Sequence, residues 1–157
     1  MRPIRTILQP TDFSAKAERA FELACGLARV LDARLIVFHA AADPLLPWSR
    51  SSRNLDYCRR PWREAQERLD AIVADDLEIQ HLLVPGEPTA EIIRAAHELD
   101  PGLIVIGAPR RTSWRWFLGP SVAEAIIFEA PCPVLTTGEF SMATAPQRDR
   151  WNRSLGN

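Results

Sequence analysis

Short apolar segments rich in β-branched residues alternate along this chain with longer segments whose apolar residues recur every three or four positions. The longer segments predict four amphipathic helices, and the short segments predict strands. Strands that alternate with helices form a parallel sheet with helices on both faces, so we expect an α/β fold with one open sheet. The pair Gln9-Pro10 is expected to halt the first strand. The five expected strands are Ile4–Leu8, Leu35–Ala40, Leu77–Val84, Leu103–Ile106 and Val134–Thr137.

Capping residues and apolar spacing predict the extent of the helices. The first helix has two alternative N-caps, Asp12 and Ser14, and its apolar stripe reaches Leu31. The apolar stripe of the second helix extends to Ile72. Residues 41–55, between the second strand and the second helix, are rich in Pro, Ser and Arg and predict an exposed loop.

Length and composition fit a single domain without a membrane segment. The 157 residues suit one domain, and we expect it over residues 1–138, followed by a polar, mobile C-terminal tail over residues 139–157. The 19 basic and 20 acidic side chains give a formal charge of −1, which gives no reason to expect a nucleic-acid partner. No apolar run approaches the ~18 residues of a membrane span, and the N-terminus lacks a signal-peptide pattern. We therefore expect a cytoplasmic protein with no membrane partner.

The common catalytic and cofactor motifs are absent from the sequence. It contains no GxGxxG dinucleotide fingerprint, no GxxxxGK[ST] phosphate loop and no GxSxG nucleophile elbow. The three histidines do not pair at metal-ligand spacing, and His39 is more readily a strand-end histidine than a catalytic one. Three cysteines match no metal pattern and suit a reducing compartment. The sequence therefore predicts a protein that is not an enzyme and that holds no metal.

Ligands of open parallel sheets bind outside the carboxyl ends of the strands, where the strand order reverses. In this chain the corresponding positions are residues 10–12 after the first strand, Ala40 after the second and the loop that follows Gly107.

Four short stretches resemble the universal stress protein family. Residues 106–137 (IGAPRRTSWRWFLGPSVAEAIIFEAPCPVLTT) resemble the nucleotide loop and last helix of this family, whose usual pattern is Gly-x2-Gly-x9-Gly-(Ser/Thr). Residues 7–14 (ILQPTDFS) resemble its first strand and aspartate turn. Residues 86–96 (GEPTAEIIRAA) and 103–107 (LIVIG) extend the likeness, which covers residues 1–138.

The resemblance implies a five-stranded parallel sheet of order 3-2-1-4-5. It also implies a cytoplasmic homodimer that pairs through the last strand, Val134–Thr137, and a role in survival under stress with an unknown protein partner. A subset of the family binds ATP, with the aspartate turn at the adenine and ribose and the glycine loop and following Ser or Thr at the phosphates. No cofactor is required, and ATP or another adenine nucleotide is the implied ligand.

The glycine pattern is only partly kept in this chain. Its first glycine is Gly107, but Arg110 and Pro120 stand where the second and third are expected, and Gly119 lies one place early. The hydroxyl residue that follows is Ser121. The nucleotide-binding residues implied by the resemblance are Pro10, Thr11, Asp12, Ala40, Ile106, Gly107, Arg110, Gly119, Ser121 and Val122.

Several of these residues have a second interpretation. Ser121 and Glu124 fit a capping box, although Pro120 at the first helical position would make Gly119 the cap. Asp12 is either a helix cap or a ligand residue. Arg110, with Arg111 and Arg115, either contacts phosphate or is simply solvated. Trp114 and Trp116 either pack over the crevice, form a dimer contact or stack on a base.

The function expected from these observations is that of a universal-stress-type regulatory protein. It is homodimeric, has a degenerate adenine-nucleotide crevice and acts by binding. One alternative is an ATP-binding stress sensor in which the loop arginines replace the lost glycines. A second alternative is a slow ATP hydrolase or nucleotidyl transferase, for which the sequence offers no base or metal constellation beyond Asp12.

Overall fold

Five parallel strands form one open sheet in the order β3-β2-β1-β4-β5, which confirms the predicted topology. The computed structural model describes residues 3–41, 55–108 and 121–138. The strands are β1 (Thr6–Pro10), β2 (Arg34–Ala41), β3 (Ile79–Pro85), β4 (Leu103–Gly107) and β5 (Val134–Thr137). The helices of the described ranges are α1 (Ala15–Leu31), α2 (Leu55–Asp70), α3 (Pro88–Leu99) and α4 (Val122–Glu129).

Both faces of the sheet are buried, which explains why its central strands are almost continuously apolar. On one face Ile7 and Val37 pack with the apolar side of α1 and with Leu69 of α2. On the other face Leu8 and Phe38 pack with residues of α3 and α4. Side chains alternate between faces along each strand, so each central strand contributes to both apolar layers.

The first strand differs from its prediction. It runs from Thr6 to Pro10, two residues later than expected, and Gln9-Pro10 does not halt it. Thr11 N donates to Phe38 O at 2.8 Å, so the nitrogen of Pro10 faces β4, whose pairing with β1 ends at Leu8. Proline therefore removes no ladder hydrogen bond at this position. Gln9 is fully buried, and its Nε2 donates to Pro10 O at 2.7 Å, which keeps its amide partly satisfied within the strand.

Other boundaries shift by one or two residues. The third strand begins at Ile79 rather than Leu77, and the fourth extends to Gly107. Helix α2 ends at Asp70, so Ile72 lies beyond it, although Ile72 still packs against the apolar layer beneath α1 and α2.

Some predicted segments lie outside the described residues. The expected loop covers residues 41–55. Residue 41 is the last residue of β2 and residue 55 is the first residue of α2, while residues 42–54 are not described. Trp114, Trp116 and the tail over residues 139–157 also lie outside, so the division into domain and tail stays a prediction. Within the described ranges, no helix has the length and apolarity required to cross a membrane.

Candidate nucleotide crevice at the ends of β1 and β4

A crevice opens where the strand order reverses, at the carboxyl ends of β1 and β4 and beside the first turns of α1 and α4. Such a position is the usual ligand site of an open parallel sheet. Arg110 and Gly119 are not among the described residues. The structure brings the other eight predicted site residues together along its walls: Pro10, Thr11, Asp12, Ala40, Ile106, Gly107, Ser121 and Val122.

Other residues of the crevice do not stand out in the sequence. Lys16 from the first turn of α1 lines it, together with His39 from β2 and Pro88 and Ile92 from α3. Lys16 is the only lysine of the chain, and it follows Asp12 by four residues. That spacing was the one available signal, because it brings opposite charges together where a helix begins.

The aspartate turn between β1 and α1 is closed by its own side chains. Thr11 Oγ1 accepts from the Phe13 amide at 3.0 Å, and Asp12 Oδ1 accepts from the Ser14 amide at 3.0 Å and from the Ser14 hydroxyl. Ser14 is the N-cap of α1, and its Oγ accepts from the Ala17 amide at 3.4 Å. Of the two predicted caps Ser14 is therefore the one used, and Asp12 supports it.

Asp12 also pairs with Lys16, whose Nζ lies 3.2 Å from Asp12 Oδ2. Partial burial raises the pKa of the Asp12 carboxyl. The hydrogen bonds from Ser14 and the hydrogen bond and charge of Lys16 together lower the pKa by a larger amount. The net effect is a pKa below the ordinary value. Asp12 is thus an ionised hydrogen-bond acceptor at neutral pH and a weak general base.

Gly107 marks a close approach between β4 and α1. A Cβ placed on this residue would stand 2.6 Å from Lys16 O and 3.0 Å from Ala17 N. Those are backbone atoms, which cannot turn aside as the end of a side chain can. The glycine therefore allows the start of α1 to lie directly against the end of β4, and this contact sets one wall of the crevice.

The N-terminus of α4 forms the opposite wall. Ser121 is the N-cap: its Oγ accepts from the Glu124 amide at 3.3 Å, and its own amide donates to Glu124 Oε2 at 2.8 Å. The alternative prediction of Gly119 as the cap is wrong, because the extended backbone and both bonds of the capping box belong to Ser121. The preference of Pro120 for the first helical position is outweighed by these two bonds.

The capping role leaves hydrogen-bonding capacity toward the crevice. A serine hydroxyl that accepts one amide still has its own hydrogen to donate. The amides of Val122 and Ala123 belong to the first turn, where no intrahelical acceptor exists, and both residues line the crevice. The two interpretations of Ser121, cap and ligand residue, are therefore compatible. Among the residues that the structure covers, no cluster of three or more His, Cys, Asp or Glu side chains could hold a metal ion.

The chain is similar to known proteins in both sequence and architecture. Residues 3–137 match the Universal stress protein family. A Staphylococcus aureus (strain USA300) protein assigned to the universal stress proteins is 30% identical over 151 residues, which cover 91% of this chain and 90% of the relative.

Two solved structures add ligand-bound relatives. A universal stress protein crystallised in complex with cAMP has a TM-score of 0.63 and 26% identity, covering 87% of this chain and 98% of its own. The universal stress protein of Archaeoglobus fulgidus in complex with dAMP has a TM-score of 0.61 and 26% identity, with the same coverage of 87% and 98%. Because the family match spans most of the sequence and all five strands, the chain belongs to the universal stress protein family.

Proposed function

We propose that this protein is a universal-stress-type regulatory protein that binds an adenine nucleotide in the crevice and acts by binding, without turnover. The observation that carries the proposal is the convergence of the aspartate turn and the N-terminus of α4 on one crevice. Relatives crystallised with cAMP and dAMP support the adenine nucleotide as the ligand class. Because Arg110 and Pro120 replace two glycines of the family pattern, we expect ATP to bind weakly.

The β1 side of the crevice suits a base and a ribose. Pro10, Phe38 and Ile106 supply apolar walls, and a flat base gains from burial between such walls. The ionised carboxylate of Asp12 accepts hydrogen bonds, which the ribose hydroxyls and the adenine amino group donate.

The α4 side suits a phosphate. The amides of Val122 and Ala123 and the hydroxyl of Ser121 are donors at a helix N-terminus, where the helix dipole favours an anion. Lys16 adds a positive charge to the same crevice, although Asp12 neutralises part of it. The described residues on this side offer enough donors for a single phosphate.

Two observations favour binding over turnover. The lowered pKa of Asp12 makes it a weak base for activating a water or a hydroxyl. The described part of the crevice also supplies no second carboxylate beside Asp12 with which to hold a metal–phosphate complex. A regulatory role in the stress response and a cytoplasmic location are part of the proposal, and membership of the family supports them.

The proposal includes a homodimer through β5. Among the described strands β5 is an edge, paired only with β4, and an unpaired edge is a template for another strand. Apolar side chains beside it are exposed: Phe128 of α4 is 87% accessible, and Ile127 and Leu135 are also exposed. A second copy of the chain would cover both the edge and these side chains.

Two measurements test the ligand. The nucleotide content of the purified protein is read by mass spectrometry after denaturation, and titration calorimetry then gives affinities for cAMP, AMP and ATP. Asp12→Asn should weaken binding about tenfold, because it removes the negative charge of the carboxylate to which the ribose hydroxyls and the adenine amino group donate hydrogen bonds. Asp76→Asn is the matched control, because Asp76 pairs with Arg29 on the surface, away from the crevice.

Three results would overturn the proposal. Absence of nucleotide binding at millimolar ligand contradicts the ligand class, and an equal loss in the Asp12 and Asp76 variants contradicts the site. Release of ADP or AMP from ATP at a rate that Asp12→Asn abolishes would replace the binding role with the enzymatic alternative.

A further inference from the structure

The residue after Asp12 has an unusual backbone conformation. Phe13 has φ of 58°, in the left-handed region, and a non-glycine residue there costs roughly 1–2 kcal/mol. Strained residues of this kind persist only where their surroundings hold them. The contacts that hold Phe13 therefore also fix the turn that carries Thr11 and Asp12 into the crevice.

Strand β2 anchors this turn through both polar backbone groups of Thr11. The Thr11 amide donates to Phe38 O at 2.8 Å, and the Thr11 carbonyl lies 2.8 Å from His39 Nδ1. A carbonyl oxygen only accepts, so Nδ1 of His39 carries the hydrogen in this bond. The turn thus receives one bond from the backbone of β2 and one from the His39 side chain.

The ring of His39 also contacts Phe13. The two ring centroids are 4.4 Å apart and the planes are tilted by 47°. Arg68 of α2 packs on the same phenyl ring, with Cζ 4.3 Å from its centroid, and its Nη2 lies 3.4 Å from Phe13 O. Since Phe38 packs on the α3 and α4 side, strand alternation directs the His39 ring to the opposite side, toward α2.

We propose that His39 is a positioning residue for the nucleotide site: its Nδ1–H holds the Thr11 carbonyl, so the aspartate turn is shaped before the ligand arrives. This inference rests on the proposed function, because the turn it shapes is the adenine side of the crevice. A turn that is already ordered loses less conformational freedom on binding. Removal of the His39 bond should therefore lower nucleotide affinity without blocking the crevice.

The chain offers a matched control histidine. His81 on β3 also bonds a backbone carbonyl, with Nε2 2.8 Å from Ile72 O, but it does not line the crevice. His81→Leu removes a comparable bond away from the turn. His39→Leu removes the donor at the turn, whereas His39→Asn keeps a donor, because the Asn side-chain nitrogen occupies the place of Nδ1.

Calorimetric titration with cAMP and AMP, together with urea denaturation, separates positioning from general stability. We expect His39→Leu to lower affinity about three- to tenfold, as the loss of one hydrogen bond predicts. His39→Asn should return affinity to within about twofold of the parent, and His81→Leu should destabilise the fold without changing affinity. Parent-like binding by His39→Leu, no rescue by His39→Asn, or an equal loss in His81→Leu would each overturn the proposal.

A ligand-free measurement keeps this proposal distinct from the proposed function. Hydrogen exchange at the Phe13 and Ser14 amides, both bonded within the turn, should be faster in His39→Leu and parent-like in His39→Asn. If the parent protein binds no adenine nucleotide, the proposed function is wrong. Unchanged exchange in His39→Leu would show that His39 does not position the turn, whatever the ligand result.

Discussion

Gly107 at the end of β4 lies against the backbone of Lys16 in the first turn of α1, so closely that an added Cβ would stand 2.6 Å from the Lys16 carbonyl oxygen. The first glycine of the family pattern therefore has a packing cause in this chain. It fixes the distance between the sheet and α1, and thereby the position of the Asp12–Lys16 pair.

Gly107→Ala should destabilise the protein by about 1–3 kcal/mol, because the new methyl group meets backbone atoms and forces α1 away from β4. Gly26→Ala is the matched control: it lies inside α1 with no atom within 4 Å of its added Cβ, so a gain of up to about 1 kcal/mol is expected from helix propensity. Urea denaturation measures both changes. Equal stability of the two variants would contradict the close approach at Gly107.

The sequence predicted the sheet well because apolar periodicity reports burial directly. The same signal located residues 10–12 and Ala40 beside the crevice, because it shows where the strands end, and ligands of open parallel sheets bind at the carboxyl ends of the strands. It misplaced the end of β1, because whether Pro10 interrupts a ladder depends on how far β4 extends, which no local pattern reveals. It also gave no weight to Lys16, whose place in the crevice depends on how α1 packs against Gly107.

Ser121 allows the cap and the ligand role to be separated. Ser121→Ala should cost about 1 kcal/mol of stability, whereas Ser121→Gly should cost only a few tenths, because glycine is tolerated at an N-cap. Both variants lack the hydroxyl, so both should bind AMP less tightly than the parent does. Both should bind adenosine, which has no phosphate, as tightly as the parent does. Calorimetry with the two ligands is the measurement. If AMP affinity follows stability rather than the hydroxyl, Ser121 is only a cap.

Glu87 gives the protein a pH-dependent helix cap. Its carboxylate accepts from the Thr89 amide at 3.0 Å and from the Ala90 amide at 2.8 Å. The bond from Ala90 has the largest effect and the bond from Thr89 adds to it, so the pKa of Glu87 lies below its ordinary value of 4.5. A lowered folded-state pKa adds stability above the unfolded value, and this stability is lost as the pH falls through the folded value.

Glu87→Gln should therefore reduce stability at pH 6 and have a smaller effect near pH 3, because protonation of the parent carboxyl at low pH removes the advantage of its charge. Urea denaturation of parent and variant at the two pH values gives the difference directly, and other titrating groups cancel in it. A difference that stays constant between the two pH values would show that the charge of Glu87 does not support α3.

The free edge of β5 can be blocked without breaking its pairing with β4. The Ile104 amide donates to Pro133 O at 3.0 Å, and the Ala108 amide donates to Thr137 O at 3.1 Å. Alternate residues of a parallel strand face the same neighbour, so the Thr136 amide points to the open edge.

Thr136→Pro should thus abolish the dimer while the fold is kept, because proline removes an outward donor and prevents strand addition. Thr136→Ala keeps the amide and should remain dimeric. Light scattering at micromolar concentration reports the assembly, and circular dichroism reports the fold. A monomeric parent protein, or a dimeric and folded Thr136→Pro variant, would contradict pairing through β5.

Arg110 and Pro120, which lie outside the described residues, stand where the family pattern has glycine. Ser121, next in the chain, already has its cap geometry and faces the crevice. If the lost glycines weaken ATP binding, Arg110→Gly with Pro120→Gly should permit close backbone approach and restore an amide donor beside Ser121. One recovered amide–phosphate hydrogen bond contributes about 1.5–3 kcal/mol, so ATP affinity should rise about tenfold or more.

Calorimetric titration with ATP at fixed salt compares this double variant with the parent. Arg111→Gly is the control, because it removes one arginine of the same loop at a position where the pattern does not require glycine. If the parent binds ATP tightly and the double variant binds it less well, Arg110 is a ligand residue. The sensor alternative, in which loop arginines replace the glycines, would then take the place of weak ATP binding, because a guanidinium group donates two parallel hydrogen bonds to phosphate oxygens.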